Sequence, residues 1–280
     1  MVALFIRKSY ASLYVFLIFL VSCNKNHPVF AIAYGETLNS KNYLAYLTKI
    51  NAWQPVKIAC EGTSLTYGQN QPGVLPGING AGQQRALYQY PSTLQITLHS
   101  EGINANVINR GFPGDRTIEG LTRWRDSTVA DVCIVEYGTN DAFNFGGYPS
   151  GPLTIPAFTD SLTKIVKRRL EQGAWVIITS PTDLNPPNPI FNNYKAAILA
   201  VAQNYDLRIF DVEKNVITGS SDYFDGVHLT ALAYQKWGID IAPLLSYTFR
   251  REYVFFSWRG YEGLVSGERL PVPRMQGKRN

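Results

Sequence analysis

Short apolar runs alternate along the chain with longer stretches in which apolar residues recur every three or four positions. Five of the short runs, Val56–Glu61, Ala105–Asn109, Asp131–Tyr137, Trp175–Ser180 and Leu207–Asp211, have the length and near-continuous apolar character of buried strands. Between and after them, Ser92–Ser100, Thr117–Arg125, Pro156–Gln172, Phe191–Asn204 and Thr230–Tyr247 read as helices. In Pro156–Gln172 the apolar stripe is Phe158, Leu162, Ile165, Val166 and Leu170, and Lys164, Lys167, Arg168 and Arg169 are assigned to the surface. An earlier helix is expected over Lys41–Asn51, capped by Ser40 and packed on the same domain. Strand–helix alternation predicts an α/β fold of three layers, with a central five-stranded, mostly parallel sheet covered by helices on both faces. In such sheets sites form beyond the carboxyl ends of the strands. Two long segments rich in Gly, Pro and Asn, Tyr67–Gln84 and Phe143–Pro152, begin near such ends, where long loops are more often functional than idle.

The two ends of the chain differ from its middle. Arg7 and Lys8 precede an apolar run from Tyr10 to Val21, the length of a signal-peptide core and short of a bilayer span. Leu20-Val-Ser-Cys23 resembles a bacterial lipobox, in which the cysteine becomes the lipidated first residue. The expected division is a lipoprotein signal peptide over 1–22, a tether over 23–40, a catalytic domain over 41–249 and a basic tail over 250–280. Cys23 would then hold the exported domain on a membrane through its lipid chains. An ordinary cleaved signal and an uncleaved anchor are the alternatives. The net charge of +5 comes from the ends, because residues 26–249 carry a net −2. With no basic stripe in the middle, a nucleic-acid partner is not expected. Cys60 and Cys133 lie in strand-like runs and read as small core residues, although two cysteines in an exported chain could pair. No metal-ligand cluster and no cofactor motif is visible.

Of three histidines, His27 lies in the tether and His99 near the end of a helix. His228 lies in Asp222-Tyr-Phe-Asp-Gly-Val-His-Leu-Thr230, just before the last helix, three residues after Asp225. In a turn that spacing can set a carboxylate against one ring nitrogen and leave the other for a nucleophile. Ser64 follows Gly62 at the carboxyl end of the first strand. Taken alone, it reads equally as a nucleophile or as a helix-capping serine. Asn109-Arg-Gly-Phe-Pro-Gly-Asp115 follows the second strand and can present the Gly114 N–H. Glu136-Tyr-Gly-Thr-Asn-Asp141 follows the third, and Asn140 can donate from its side chain. A backbone donor and an Asn amide together can form an oxyanion hole.

These four segments occur in the order found in the SGNH hydrolases, also called GDSL lipases and esterases, and the chain resembles that family over residues 55–248. Gly62-Thr-Ser-Leu-Thr-Tyr-Gly68 is similar to the family's Gly-Asp-Ser-Leu-Thr-x-Gly block, Gly138-Thr-Asn-Asp141 to its Gly-x-Asn-Asp block and Asp225-Gly-Val-His228 to its Asp-x-x-His block. The resemblance implies a flavodoxin-like fold and an esterase using Ser64, Asp225 and His228. It implies an oxyanion hole of Ser64, Gly114 and Asn140, and no cofactor. Thr63 departs from the pattern, which has Asp there. Pro76–Arg85 and Ile108–Gly114 further resemble SGNH esterase domains of phage tail and surface-polysaccharide proteins. An acetylated carbohydrate is therefore the expected substrate. A lipase, lysophospholipase or thioesterase, and a non-catalytic glycan-binding module, are the alternatives.

Overall fold

A computed structural model describes residues 37–70 and 73–246, together with a two-residue antiparallel ladder between Leu20–Val21 and Val29–Phe30. Apart from that ladder, the expected signal peptide and tether up to residue 36, with Cys23 and His27, and the basic tail lie outside the described residues. No helix among the described residues is long and apolar enough to cross a membrane.

The elements run α1 (Leu38–Asn51), β1 (Val56–Gly62), α2 (Ser64–Tyr67), α3 (Tyr90–Ser100), β2 (Ala105–Gly111), α4 (Thr117–Arg123), β3 (Val132–Glu136), α5 (Thr139–Phe143), α6 (Ile155–Glu171), β4 (Trp175–Ser180), α7 (Phe191–Tyr205), β5 (Arg208–Asp211), α8 (Val212–Asn215) and α9 (Ala231–Ile241). The five strands form one parallel sheet in the order β2-β1-β3-β4-β5. That is the flavodoxin-like order, in which the chain reverses direction across the sheet beside β1 and opens a crevice at the strand ends.

Strand periodicity sorts the core into two halves. Val56, Ile58 and Cys60 of β1, with Val132 and Ile134 of β3 and Trp175 and Ile177 of β4, face α1, α3 and α9. Ala59, Cys133, Val135, Val176 and Ile178 face α6 and α7 on the other side. Both cysteines are free and buried. They project to opposite faces of the sheet, so they cannot form a disulfide with each other.

Three details differ from the sequence reading. Thr37, not Ser40, caps α1, and its side chain accepts from the Ser40 N–H. The helix begins earlier because Asn39 and Asn42 are buried anchors. Asn39 accepts from the Val176 N–H at 2.8 Å, and Asn42 donates to the carbonyls of Leu170 and Ala174. Arg169 is not on the surface. It is buried with Arg110 around Glu61, at 3.0 and 2.7 Å, so the charged end of β1 is matched by two guanidinium groups. The last helix stops at Ile241 and tightens into a 3-10 turn at Ala242–Leu244. Pro243 has no N–H to continue the helical ladder there.

Candidate active site

β1 ends at Gly62 and the chain turns at once into α2. A side chain at Gly62 would meet Thr66 Oγ1 at 2.2 Å and the Glu136 carbonyl oxygen at 2.5 Å, so the turn requires glycine. Thr63 caps α2, accepting from the Leu65 N–H at 3.2 Å, and Ser64 is its first helical residue. The capping role that Ser64 could have filled is therefore taken by Thr63, which leaves the Ser64 hydroxyl for other work. Ser64 is only 6% exposed, and its hydroxyl lies 2.9 Å from His228 Nε2.

His228 reaches Ser64 from the segment between α8 and α9. Asp225 Oδ1 accepts from the N–H groups of Val227 and His228, at 3.0 and 2.8 Å, and Oδ2 lies 2.8 Å from His228 Nδ1. Partial burial works to raise the Asp225 pKa, but the imidazole and these two N–H donors outweigh it and hold the carboxyl below its usual range. An ionised Asp225 requires a proton on Nδ1, which leaves the Nε2 lone pair toward Ser64. The loop is held on both sides of the imidazole. The Phe224 N–H donates to the His228 carbonyl at 2.7 Å, and Asn70 donates to the Leu229 carbonyl at 3.1 Å. Leu229 is fully buried, and Thr230 caps α9.

The donors follow β2 and β3. Gly114 has φ +83°, a left-handed conformation, and a side chain there would meet the Gly146 backbone at 3.0 Å. The Phe143–Pro152 loop is thus laid directly on the Gly114 turn. Asn140 is buried, and one N–H of its amide donates to the Asp115 carbonyl at 2.9 Å. That bond fixes the amide plane and leaves the second N–H for a ligand. The N–H groups of Ser64 and Gly114 bond no acceptor among the described residues. Neighbouring Asp141 has a structural part, accepting from the Thr117 N–H and hydroxyl at 2.9 and 2.6 Å and so tying α5 to the start of α4. Ser64, Gly114, Asn140, Asp225 and His228 line one open cleft of about 430 Å³. Its rim adds Gln69, Gln83, Pro113, Phe145 and Val227. His99 lies away from it, with Nε2 2.7 Å from the Ala105 carbonyl.

Beneath the Ser64 turn is a carboxyl group that sequence reasoning passed over. Glu136, the last residue of β3, is fully buried and paired in register with Gly62. Its Oε2 accepts from the Thr63 N–H at 3.0 Å, the Thr63 hydroxyl at 2.9 Å and the Thr66 hydroxyl at 3.0 Å, while Oε1 has no partner. Burial pushes the acid up to about 7 against the opposing pull of these donors. The signal available in sequence was an acid closing the otherwise apolar run Val132–Val135. Among the described residues no three His, Cys, Asp or Glu side chains converge as a metal site needs.

Residues 60–236 match the GDSL-like lipase/acylhydrolase family. The chain belongs to that family. It is therefore a hydrolase of ester bonds. No curated protein sequence matches it closely. Among solved structures, it is similar to a carbohydrate acetylesterase family member from Sinorhizobium meliloti, with 22% identity, TM-score 0.52, and coverage of 68% of this chain and 97% of that one. It is also similar to an acetyl xylan esterase, with 18% identity, TM-score 0.54, and coverage of 66% and 98%. An aryl esterase of M. smegmatis has 21% identity, TM-score 0.51, and coverage of 68% and 98%. At these identities the likeness establishes the fold.

Proposed function

We propose that this family member is a serine esterase that removes short acyl groups, acetyl foremost, from a carbohydrate, with Ser64 as nucleophile, His228 as base and Asp225 as its partner. The observation that carries the reading is the unbroken chain Ser64 Oγ to His228 Nε2 to Asp225 Oδ2, with contacts of 2.9 and 2.8 Å, opening into a cleft lined by unspent donors.

The chemistry follows from these contacts. Ser64 passes its proton to His228 Nε2 as Oγ attacks the acyl carbonyl. Negative charge grows on the former carbonyl oxygen, and the N–H groups of Ser64 and Gly114 and the free N–H of Asn140 receive it. Loss of one such donor typically costs about 2.7–4 kcal/mol of transition-state stabilisation. The ionised Asp225 stabilises the imidazolium and keeps its orientation. The tetrahedral intermediate collapses and the alcohol leaves with the proton from Nε2. Water, deprotonated by the same nitrogen, then releases the acid from Ser64.

The rim supports a small acyl group on a polar alcohol. The side-chain amides of Gln69 and Gln83 bond no group among the described residues, so they are available to sugar hydroxyls. The apolar lining residues are Pro113, Phe145 and Val227, set among the polar Gln69, Gln83 and Asn140, a mixture that favours a small acyl group on a polar alcohol. The acetyl-carbohydrate specificities named for two of the structural neighbours agree with this reading. The N-terminal run ending in Cys23 supports action outside the cytoplasm, on a lipid tether. The test is acetate release from a panel of acetylated polysaccharides, beside the hydrolysis of p-nitrophenyl acetate and decanoate. Acetate release from at least one glycan, with the acetyl ester preferred, is the expected outcome. A clear preference for decanoate overturns the substrate assignment.

A further inference from the structure

We infer that Glu136 is a positioning residue for the nucleophile, acting through Thr63 and Thr66, and that a hydroxyl at Thr63, where the family block has an acid, suits this chain because it can donate to that carboxyl group. The inference rests on Ser64 being the nucleophile.

Thr63 performs two tasks with one oxygen. It accepts from the Leu65 N–H, as the cap of α2, and it donates to Glu136 Oε2 at 2.9 Å. A hydroxyl can do both, whereas an ionised carboxylate can only accept. An aspartate at this position would press a second carboxylate against Glu136, and one of the two would have to remain protonated. The same Glu136 oxygen takes the Thr63 N–H and the Thr66 hydroxyl. Ser64 lies between these two threonines, so its backbone, and with it the N–H and the point from which the hydroxyl projects, is held from both sides by bonds to that oxygen. Gly62 allows this proximity, because a side chain there would come within 2.7 Å of Glu136 Oε2. From Glu136 the chain runs on through Gly138 into α5, which carries Asn140. Two of the three oxyanion donors therefore hang from segments joined at one buried carboxyl. Glu136 touches no substrate.

The experiment uses the full-length protein with p-nitrophenyl acetate in the steady state, and with diethyl p-nitrophenyl phosphate to measure how fast the nucleophile is modified. Thr63→Asp is expected to lower kcat and the modification rate together, roughly 30-fold or more, since misplacing a reacting group by about 1 Å can cost 10²-fold. KM should stay within about twofold, because no binding group is removed. Thr63→Ser, which keeps the hydroxyl, is expected to retain most activity. Adding Glu136→Gln to Thr63→Asp is expected to restore at least about tenfold, because the amide N–H can donate to the introduced carboxylate. A role confined to stability predicts instead that the two losses multiply. A double variant no better than Thr63→Asp alone overturns the inference, and so does a Thr63→Asp protein as active as wild type. If Thr63→Asp does not fold, recovery of a cooperative melt and of activity in the double variant supports the inference, and failure to recover them overturns it. Failure of the underlying reading looks different: Ser64→Ala would then keep its activity, and the phosphate ester would modify another residue.

Discussion

Replacing Glu136 by glutamine separates the charge of the buried carboxyl from its shape. In the folded chain this acid has its pKa pushed up from 4.5 to about 7, chiefly by burial. The sign follows directly. The folded state holds the proton more tightly than the unfolded state, so the contribution is fully present below pH 4.5 and is lost as pH rises through 7. At about 1.4 kcal/mol per tenfold change in proton affinity, the displacement is worth about 3 kcal/mol. Most of this, about 2–3 kcal/mol, falls between pH 5 and pH 8.5, and with about 2–4 °C of melting temperature for each kcal/mol in a domain of this size the wild type should lose roughly 5–10 °C through this group over that range. Asp141, pushed up to about 6 by burial, adds in the same direction and remains in both proteins. The assay is thermal unfolding of wild type and Glu136→Gln across that range. The variant should melt below wild type at pH 5, because its amide nitrogen is buried without a partner at a cost of about 1–3 kcal/mol. It should also show a distinctly flatter decline toward pH 8.5. Parallel declines in the two proteins would refute the argument that Glu136 titrates in the folded core.

Three other outcomes follow from the geometry. Gly62→Ala should lower stability by about 1–3 kcal/mol through overpacking against Thr66 and the Glu136 carbonyl, and should reduce p-nitrophenyl acetate hydrolysis more than melting alone explains. Asp225→Asn should lower kcat by about 10³-fold or more, because an amide at that position can no longer hold the Nδ1–H tautomer; a near-wild-type rate would remove Asp225 from the mechanism. Cys23→Ser should abolish incorporation of radiolabelled palmitate in a bacterial host and move the protein out of the membrane fraction. Unchanged labelling would rule out lipidation at Cys23.

The strands were legible because each is a short, nearly continuous apolar run whose alternate residues serve the two faces of the sheet. Val56, Ile58 and Cys60 face one side and Ala59 the other. Helix α6 was legible from the stripe through Phe158, Leu162, Ile165, Val166 and Leu170. The same reasoning misplaced Arg169, since periodicity treats every arginine as a surface residue and cannot see Glu61 across the layer. The short helices α2, α5 and α8 span four or five residues, too few for a helical period to register. At the site, Ser64, Gly114, Asn140, Asp225 and His228 converge on one cleft because each follows its own strand or precedes α9. The contacts around Glu136 could not be read in advance. They depend on the register that sets Gly62 beside Glu136, a property of two strands far apart in sequence. Thr63, a departure from the family block in sequence, becomes intelligible once that carboxyl is seen beneath it.

The central claim is that Ser64, activated by His228, performs the hydrolysis. Steady-state cleavage of p-nitrophenyl acetate by wild type and Ser64→Ala, with thermal melts of both, tests it most directly. Ser64→Ala removes a hydroxyl that caps no helix and that, among the described residues, bonds only His228. Its activity should fall to the uncatalysed background while its melting temperature stays within about 2 °C of wild type. Substantial hydrolysis by a folded Ser64→Ala protein would contradict the account.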